Sequence, residues 1–284
     1  MTNQHPNPNA VPDITLSDGN AIPQVGLGVL RIDDEGVAPV VESALEAGYR
    51  HIDGAAGYNN EGGVGRAVRA SGVPREDLFI TTKLANGDQG FDSAKEALET
   101  SLAKLDMDYV DLYLIHWASP QRGKYLESWK ALIELQQEGK AKSIGVSNFP
   151  LEQLEEIIAE TGVVPVMHQI ELHPEFQQAG LRDYHAEKSI LTEAWSPLGQ
   201  GGDILQNPVI TEIAAAHGAD AGQVIIAWHL AIGNVVIPKS VTPARIVSNF
   251  AAADLELTAQ EVEKINALDR PDGRIGADPA NPGF

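Results

Sequence analysis

The chain has 284 residues, of which 43% are apolar and 21% are charged, and its formal net charge is −20. This length and composition suit one large hydrophobic core, so we expect a single domain over residues 1–284. An acidic surface argues against nucleic acid and anionic membranes as partners, because both attract basic surfaces. The absence of cysteine excludes disulfides and thiolate metal sites, and no metal site is predicted.

The amino-terminal residues do not have the pattern of a targeting segment. No Lys or Arg precedes Arg31, and the first residues, MTNQHPNPNAVPD, are polar and rich in proline. A signal peptide needs a basic start and an apolar stretch, and we find no apolar run long enough to span a bilayer. We therefore expect a cytoplasmic protein with a flexible N-terminal tip over residues 1–12.

Residues 14–22 predict a small β-hairpin, because Asp18-Gly19 favours a tight turn. Short apolar runs then alternate with amphipathic helical segments, and most of the runs are apolar on both faces, as strands covered by helices on both sides are. The eight runs are 25–30, 51–53, 78–82, 110–116, 143–146, 166–172, 190–195 and 235–238. They predict an α/β fold, a (β/α)8 TIM barrel whose bottom is closed by the hairpin.

Capping patterns at Ser93, Asp220 and Thr258 mark three helix starts. The interval from Trp195 to Lys239 is the longest between predicted strand ends and holds two helical patterns, so we expect an extra helix in this late loop. The last residues, 269–284, are rich in Gly, Pro and Asp and have no periodicity. They predict a C-terminal loop or flap near the active site.

Ionisable residues follow three successive predicted strands. Asp53, Lys83 and His116 each end an apolar run, and Tyr58 follows shortly after Asp53. The carboxyl ends of barrel strands form the functional rim, so these four side chains are expected to meet there. Lys83 can lower the pKa of the Tyr58 phenol while Asp53 keeps the ammonium protonated, and His116 can orient an oxygen. This set suits a carbonyl oxygen that gains charge and then a proton, but the hydride must come from a cofactor.

A second polar group follows the later strands and predicts a cofactor site. Its amide and hydroxyl groups can bind a carboxamide, its aromatic ring can stack, and its glycine-rich loop can approach a pyrophosphate. The residues are Ser147, Asn148, Gln169, Trp195, Ser196, Leu198, Gly199, Gln200 and Gly201. No G-x-G-x-x-G follows a first strand, so a Rossmann site is unsupported.

A third group after the last strand predicts a phosphate clamp. A lysine, a serine hydroxyl and an arginine at the start of a helix are suited to bind an anion, even in a chain this acidic. The group consists of Lys239, Ser240, Val241, Arg245 and Asn249.

Over residues 14–274 the sequence resembles the aldo-keto reductase superfamily, and more closely its bacterial 2,5-diketo-D-gluconate reductase-like branch. The resemblance is carried by YRHIDGAAGYNNE, TTKLA, LYLIHW, GVSNF, QIELHP, AWSPLGQG and the IPKSV and RIVSN segments. It implies a barrel that binds NADPH in extended form and reduces aldehydes or ketones. It also implies that Tyr58 is the general acid, that Lys83 and Asp53 lower its pKa, and that His116 orients the carbonyl.

The same resemblance assigns the third group to the adenosine 2′-phosphate, which favours NADPH over NADH. Three positions depart from the family pattern: Gly54 replaces Thr, Ala85 replaces a bulky aromatic, and Ser248 replaces a Glu beside Asn249. Ala85 predicts a wider substrate pocket, and Ser248 weakens the expected contact with adenine. The substrate pocket is predicted to be lined by Val29, Leu30, Asn86 and Trp117, with the tail around Arg274.

Two other functions are compatible with parts of the pattern. A non-catalytic, NADPH-binding regulatory protein would use the cofactor site alone, as some members of the superfamily do. A lyase or aldolase would use Lys83 as a Schiff base, which needs a neutral lysine, and the adjacent Asp53 argues against this. By resemblance the chain is expected to be a monomer whose partner is a small-molecule carbonyl substrate.

Overall fold

The computed structural model describes residues 11–283, so most of the predicted N-terminal tip lies outside the described residues. The first element is the predicted hairpin, in which β1 (Asp13–Thr15) pairs antiparallel with β2 (Ala21–Pro23). Gly19 adopts a φ of +92° in the turn, a left-handed conformation that glycine tolerates without a Cβ clash. The hairpin prediction is confirmed.

Eight parallel strands form one curled sheet, in the spatial order β10-β9-β8-β7-β6-β5-β4-β3. A parallel bridge between Val25 and Val236 joins the residues before β3 to β10, which brings the two sheet edges together. The (β/α)8 barrel is therefore confirmed. The strands are β3 (Leu27–Gly28), β4 (His51–Asp53), β5 (Phe79–Leu84), β6 (Val110–Ile115), β7 (Ala141–Ser147), β8 (Met167–Glu171), β9 (Leu191–Trp195) and β10 (Val235–Val236).

The hairpin covers the amino-terminal ends of the strands. Leu16 and Ile22 are buried in an apolar cluster with Phe79 and Val235, which begin β5 and β10. Ser143, near the start of β7, donates a 2.7 Å hydrogen bond to Asp18 in the turn. This end of the barrel is thus closed by the hairpin, and the opposite rim holds the carboxyl ends of the strands.

The described residues contain ten helices and several short 3₁₀ turns; eight of the helices lie between strands, and the last two follow β10. Each strand from β3 to β8 is followed by one helix before the next strand begins. The helices are α1 (Asp34–Ala47), α2 (Glu61–Ser71), α3 (Phe91–Leu105), α4 (Tyr125–Gln137), α5 (Leu151–Thr161), α6 (Ala179–Lys188), α7 (Pro208–His217), α8 (Ala221–Ala231), α9 (Pro243–Ala251) and α10 (Ala259–Asn266).

Two of the three predicted capping boxes are present. Asp220 caps α8 and Thr258 caps α10, each with the reciprocal bond from the third helical residue. The predicted box at Ser93 is wrong, because the cap position is three residues earlier, at Gly90, so that α3 begins at Phe91 and has no side-chain cap. The extra helix in the late loop is confirmed, since both α7 and α8 lie between β9 and β10. No helix within residues 11–283 is long and apolar enough to cross a membrane.

Candidate active site

The strand ends bring Asp53, Lys83 and His116 to the same rim. Asp53 is the last residue of β4, and His116 directly follows β6. Lys83 lies inside β5, one residue before its end, and its side chain is fully buried. Parallel pairing of β4 with β5 and of β5 with β6 fixes these three backbone positions relative to one another.

The ammonium group of Lys83 is held by three oxygen acceptors. Its Nζ donates to Asp53 Oδ1 at 2.8 Å, to Asp53 Oδ2 at 2.7 Å and to the Gly54 carbonyl at 2.8 Å. Burial alone would lower the pKa of Lys83, but Asp53 and other negative neighbours outweigh it, and the pKa is raised. Lys83 therefore carries its charge at neutral pH, which is unfavourable for Schiff-base chemistry.

The hydroxyl of Tyr58 lies 3.5 Å from Lys83 Nζ. A 3₁₀ turn at Ala56–Tyr58 carries this residue from the end of β4 back over the rim. Burial raises the pKa of Tyr58, and the nearby Lys83 ammonium offsets this only in part. The net direction is opposite to the one expected from the sequence. The phenol consequently holds its proton at neutral pH, as a proton donor must.

His116 faces the Tyr58 ring. The two ring centroids are 5.6 Å apart with an interplanar angle of 74°. Burial and the positive charge of Lys83 lower the pKa of His116 to about 3, so its imidazole is neutral at physiological pH. A neutral imidazole can donate one N–H to an oxygen placed between it and the phenol without adding charge to the site.

The second predicted group adjoins the first. Asn148 Oδ1 accepts from Trp195 Nε1 at 2.8 Å, and Asn148 Nδ2 donates to the His116 carbonyl at 3.0 Å and to Ser147 Oγ at 2.9 Å. Ser147 Oγ donates to the Gln169 carbonyl at 3.0 Å. Hydrogen bonds therefore join the side chains of Ser147, Asn148 and Trp195 to one another and to the backbone of Gln169, beside the catalytic candidates.

The C-terminal tail reaches the same group. Glu171, the last residue of β8, accepts the backbone N–H of Ile275 at 2.6 Å and of Gly276 at 2.9 Å. A Cβ added to Gly276 would lie 2.4 Å from the Trp195 ring, too close for any side chain. The tail thus passes directly against the half-buried Trp195, and glycine is required at the point of closest approach.

The glycine-rich loop follows β9 and leads towards α8 and α9. Ser196, Gly199, Gln200 and Gly201 all have positive φ angles between 50° and 79°. Leu198 lies close to Gly222, near the start of α8, where Asn249 of α9 also approaches. The loop therefore connects the Trp195 region with the third predicted group.

The third group surrounds the start of α9. Lys239 and Arg245 are exposed, and Lys239 lies next to Gly28 at the end of β3. Ser240 Oγ accepts the backbone N–H of Thr242 at 3.1 Å, and Arg245 Nη2 donates to Thr242 Oγ1 at 2.8 Å. The remaining two members are the exposed Val241 and the buried Asn249. Ser248 donates to Asp220 at the start of α8. Two cations and a helix start thus converge in an otherwise acidic protein.

The predicted pocket residues lie on loops at the rim. Val29 is buried and donates its backbone N–H to the Asp53 carbonyl at 3.2 Å, whereas Leu30 is 46% exposed. Asn86 begins the 3₁₀ turn after β5, and Trp117 directly follows His116. Arg274 is positioned by the tail, and its guanidinium lies 4.6 Å from the Phe176 ring centroid.

The sequence interpretation missed one buried acid beneath the rim. Glu193 lies inside β9, is 0% exposed, and accepts a 2.7 Å hydrogen bond from Gln169 Nε2. The same Gln169 Nε2 donates to Asp53 Oδ1 at 2.8 Å. A carboxylate in the middle of a predicted buried strand, two residues before Trp195, was the signal that could have found it.

Comparison with known proteins agrees with this geometry. The aldo/keto reductase family matches residues 23–270. An aldo-keto reductase of Mycolicibacterium smegmatis is 54% identical, over 94% of this chain and 97% of the relative. A methylglyoxal reductase, DkgA, of Escherichia coli K12 is 51% identical, over 94% and 96% respectively.

A comparison with solved structures leads to the same family. A mutant of Gox0644 crystallised in complex with NADPH superposes with a TM-score of 0.93 at 46% identity, covering 96% of this chain and 99% of that one. The family expected from the sequence motifs is thereby confirmed. The chain belongs to the aldo/keto reductase family of oxidoreductases.

Proposed function

We propose that this protein reduces aldehyde or ketone carbonyls to alcohols with NADPH, with Tyr58 as the general acid. The observation that carries the proposal is the contact between the Tyr58 hydroxyl and the Lys83 ammonium, with Asp53 behind it. A protonated phenol beside a fixed cation is suited to give its proton to an oxygen that is gaining negative charge.

Tyr58, His116, Lys83 and Asp53 each have a different role in the proposed reaction. NADPH supplies the hydride when it is bound. As the carbonyl carbon gains the hydride, the electron pair of the C=O double bond moves to oxygen, and the Tyr58 hydroxyl transfers its proton to that oxygen. The neutral His116 donates a hydrogen bond to the same oxygen and fixes its direction. Lys83 stabilises the phenolate left on Tyr58, and Asp53 keeps Lys83 in place and charged.

The side chains near Trp195 fit the nicotinamide end of the cofactor. Trp195 offers a half-buried aromatic face at the rim, beside Ser147, Asn148 and Gln169. Ser196, Gly199, Gln200 and Gly201 have positive φ angles, and the loop that they form with Leu198 would turn backbone N–H groups towards an anion such as the pyrophosphate.

The start of α9 fits the 2′-phosphate end. Lys239, Ser240 and Arg245 supply two cations and a hydroxyl around one turn, and Val241 and Asn249 would flank the adenine. Because Ser248 is tied to Asp220, it would contribute little to adenine binding, and the phosphate contacts would carry the preference for NADPH.

Replacing Lys239 by Met is expected to raise the KM for NADPH about tenfold, the effect of losing one charge-assisted hydrogen bond, and to leave the KM for NADH nearly unchanged. Steady-state kinetics with both cofactors measure this. Lys188→Met is the matched control, because it also removes one lysine charge from the surface but lies at the end of α6. An equal rise for both cofactors would contradict the assignment of Lys239 to the phosphate.

The substrate class is proposed from the relatives. Relatives about 51% identical are named methylglyoxal reductases, so small aldehydes and 2-oxoaldehydes are the first candidates. Val29, Leu30, Asn86, Trp117 and the tail around Arg274 would form the walls of the pocket. The function is tested by following NADPH absorbance with a panel of aldehydes and ketones that includes methylglyoxal. Tight NADPH binding with no oxidation by any carbonyl would favour a regulatory protein instead.

We also propose that the chain acts as one domain and as a cytoplasmic monomer, in which residues 269–284 form a flap over the site. The contact of this tail with Glu171 and Trp195 supports the last point. The alternative of a Schiff-base lyase is disfavoured by the raised pKa of Lys83.

A further inference from the structure

Glu193 is a buried acid that the proposed reaction does not use. Its side chain is 0% exposed in the interior of the barrel. Its Oε2 accepts from Gln169 Nε2 at 2.7 Å, while Oε1 has no hydrogen-bond partner within residues 11–283. Buried carboxyl groups without full solvation are costly, so a function is the natural explanation for one in this position.

A continuous chain of contacts leads from Glu193 to the phenol. Gln169 Nε2 bridges Glu193 and Asp53 with bonds of 2.7 Å and 2.8 Å. Asp53 holds Lys83 at 2.7 Å, and Lys83 Nζ lies 3.5 Å from the Tyr58 hydroxyl. Asp53 and Lys83 form an ion pair at 2.7 Å, so ionisation of Glu193 adds one negative charge to this cluster.

The neighbours of Glu193 determine when it ionises. From β4 it faces Asp53 and His51, whose Nε2 lies 3.6 Å from Glu193 Oε1, and from β5 it faces Lys83. Its neighbours in β8 and β10 are Gln169 and Val235, which carry no charge. Burial and the negative charge of Asp53 raise the pKa of Glu193 to about 8, while Gln169 and Lys83 oppose this in part. His51 stays neutral, because burial lowers its pKa to about 4.

We propose that Glu193 is a positioning residue of the reaction, which orients the Gln169 amide and, in alkaline solution, adds a negative charge that keeps the Tyr58 hydroxyl protonated. A negative charge near a phenol opposes formation of the phenolate, so ionisation of Glu193 extends the protonated form of Tyr58 to higher pH. The inference rests on the proposed function, since it assigns Tyr58 as the proton donor.

The variant Glu193→Gln separates charge from shape. Glutamine keeps an oxygen acceptor for Gln169 but cannot ionise. Below pH 7, where Glu193 is itself neutral, we expect the variant to reduce carbonyls at nearly the wild-type rate. Above about pH 8, the activity of Glu193→Gln should begin to fall at a lower pH than that of the wild type. We expect the alkaline limb of its pH profile to lie about one pH unit lower, because a nearby charge shifts the pKa of a buried group on this scale.

Glu61→Gln is the matched control. Glu61 is also a buried carboxylate at 2% exposure and accepts one hydrogen bond, from Thr82. Glu61 has no part in the chain of contacts from Gln169 to Tyr58. The pH profile of Glu61→Gln should therefore keep the alkaline limb of the wild type. The inference would be overturned if the alkaline limb of Glu193→Gln lies at the wild-type pH, or if Glu61→Gln shifts it by the same amount. A wild-type protein that reduces no carbonyl would instead refute the proposed function.

A measurement on the wild-type protein does not depend on activity or on a variant that folds. Infrared spectra at increasing pH should show the carbonyl stretch of a protonated carboxylic acid at pH 7, which disappears near pH 8. If this band is absent at pH 7, Glu193 is already ionised, and the inference is wrong whatever the kinetics give.

Discussion

Replacing Tyr58 by Phe is expected to lower kcat for carbonyl reduction by about 10²–10⁴-fold, the usual contribution of a general acid. The ring and its contact with His116 remain, but the hydroxyl whose oxygen faces the Lys83 ammonium is lost, and its proton with it. NADPH affinity should change little, because the predicted cofactor contacts lie on other residues. Stopped-flow kinetics give kcat, and quenching of tryptophan fluorescence by NADPH gives the affinity.

Tyr113→Phe is the matched control for this experiment. Tyr113 is a fully buried tyrosine of β6, and its hydroxyl has no hydrogen-bond partner in the described part of the chain. Removing that hydroxyl should leave turnover unchanged. Full activity of Tyr58→Phe, or an equal loss in both variants, would contradict the role of Tyr58.

Replacing Lys83 by Met is expected to damage both catalysis and stability. The variant leaves the Asp53 carboxylate at 2% exposure without its cation, and breaking a buried ion pair in this way costs about 3–5 kcal/mol of unfolding free energy. Turnover should fall at least as far as in Tyr58→Phe, because the phenolate loses its stabilising charge. Urea denaturation and steady-state kinetics measure the two effects.

The double variant Asp53→Asn with Lys83→Met tests whether the unpaired charge of Asp53 causes the loss of stability. It removes both charges together, so its loss of unfolding free energy should be smaller than that of Lys83→Met alone. Its catalytic loss should not recover. A double variant that is as unstable as the sum of the single variants would show that the buried pair is not the cause.

The raised pKa of Lys83 decides how the stability of the folded protein changes with pH. Its pKa is raised in the folded protein, so its contribution to stability is fully present below the unfolded pKa of about 10.4. That contribution is lost as pH rises through the higher folded pKa. The ion pair is therefore intact over the whole neutral range in which the reduction is proposed to occur.

The barrel and its rim could be predicted from the sequence because both depend on local patterns. Apolar runs that end in Asp53 and His116 identified two strand ends, and β4 ends at Asp53 as expected. Lys83 lies within β5 and not after it, because Lys83 and Leu84 still pair with β6. A run of apolar residues predicts that a strand is present more reliably than it predicts where the strand ends.

Features that depend on distant partners could not be predicted. The direction of the Tyr58 pKa depends on how far burial outweighs Lys83, which needs coordinates. The contacts of Glu193 and Glu171 join β9 to β8 and β8 to the tail, respectively, and no local pattern gives such pairings. At Ser93 a local pattern existed, but Gly90 and Phe91 started the helix earlier.

The most direct test is the fate of deuterium carried at the transferable position of the nicotinamide ring of NADPH. The products of an aldehyde reduction would be analysed by NMR after complete turnover. The account predicts one deuterium on the alcohol carbon for every NADPH oxidised. An alcohol without deuterium, or substrate consumed without oxidation of NADPH, would contradict hydride transfer at the rim formed by Asp53, Tyr58, Lys83 and His116.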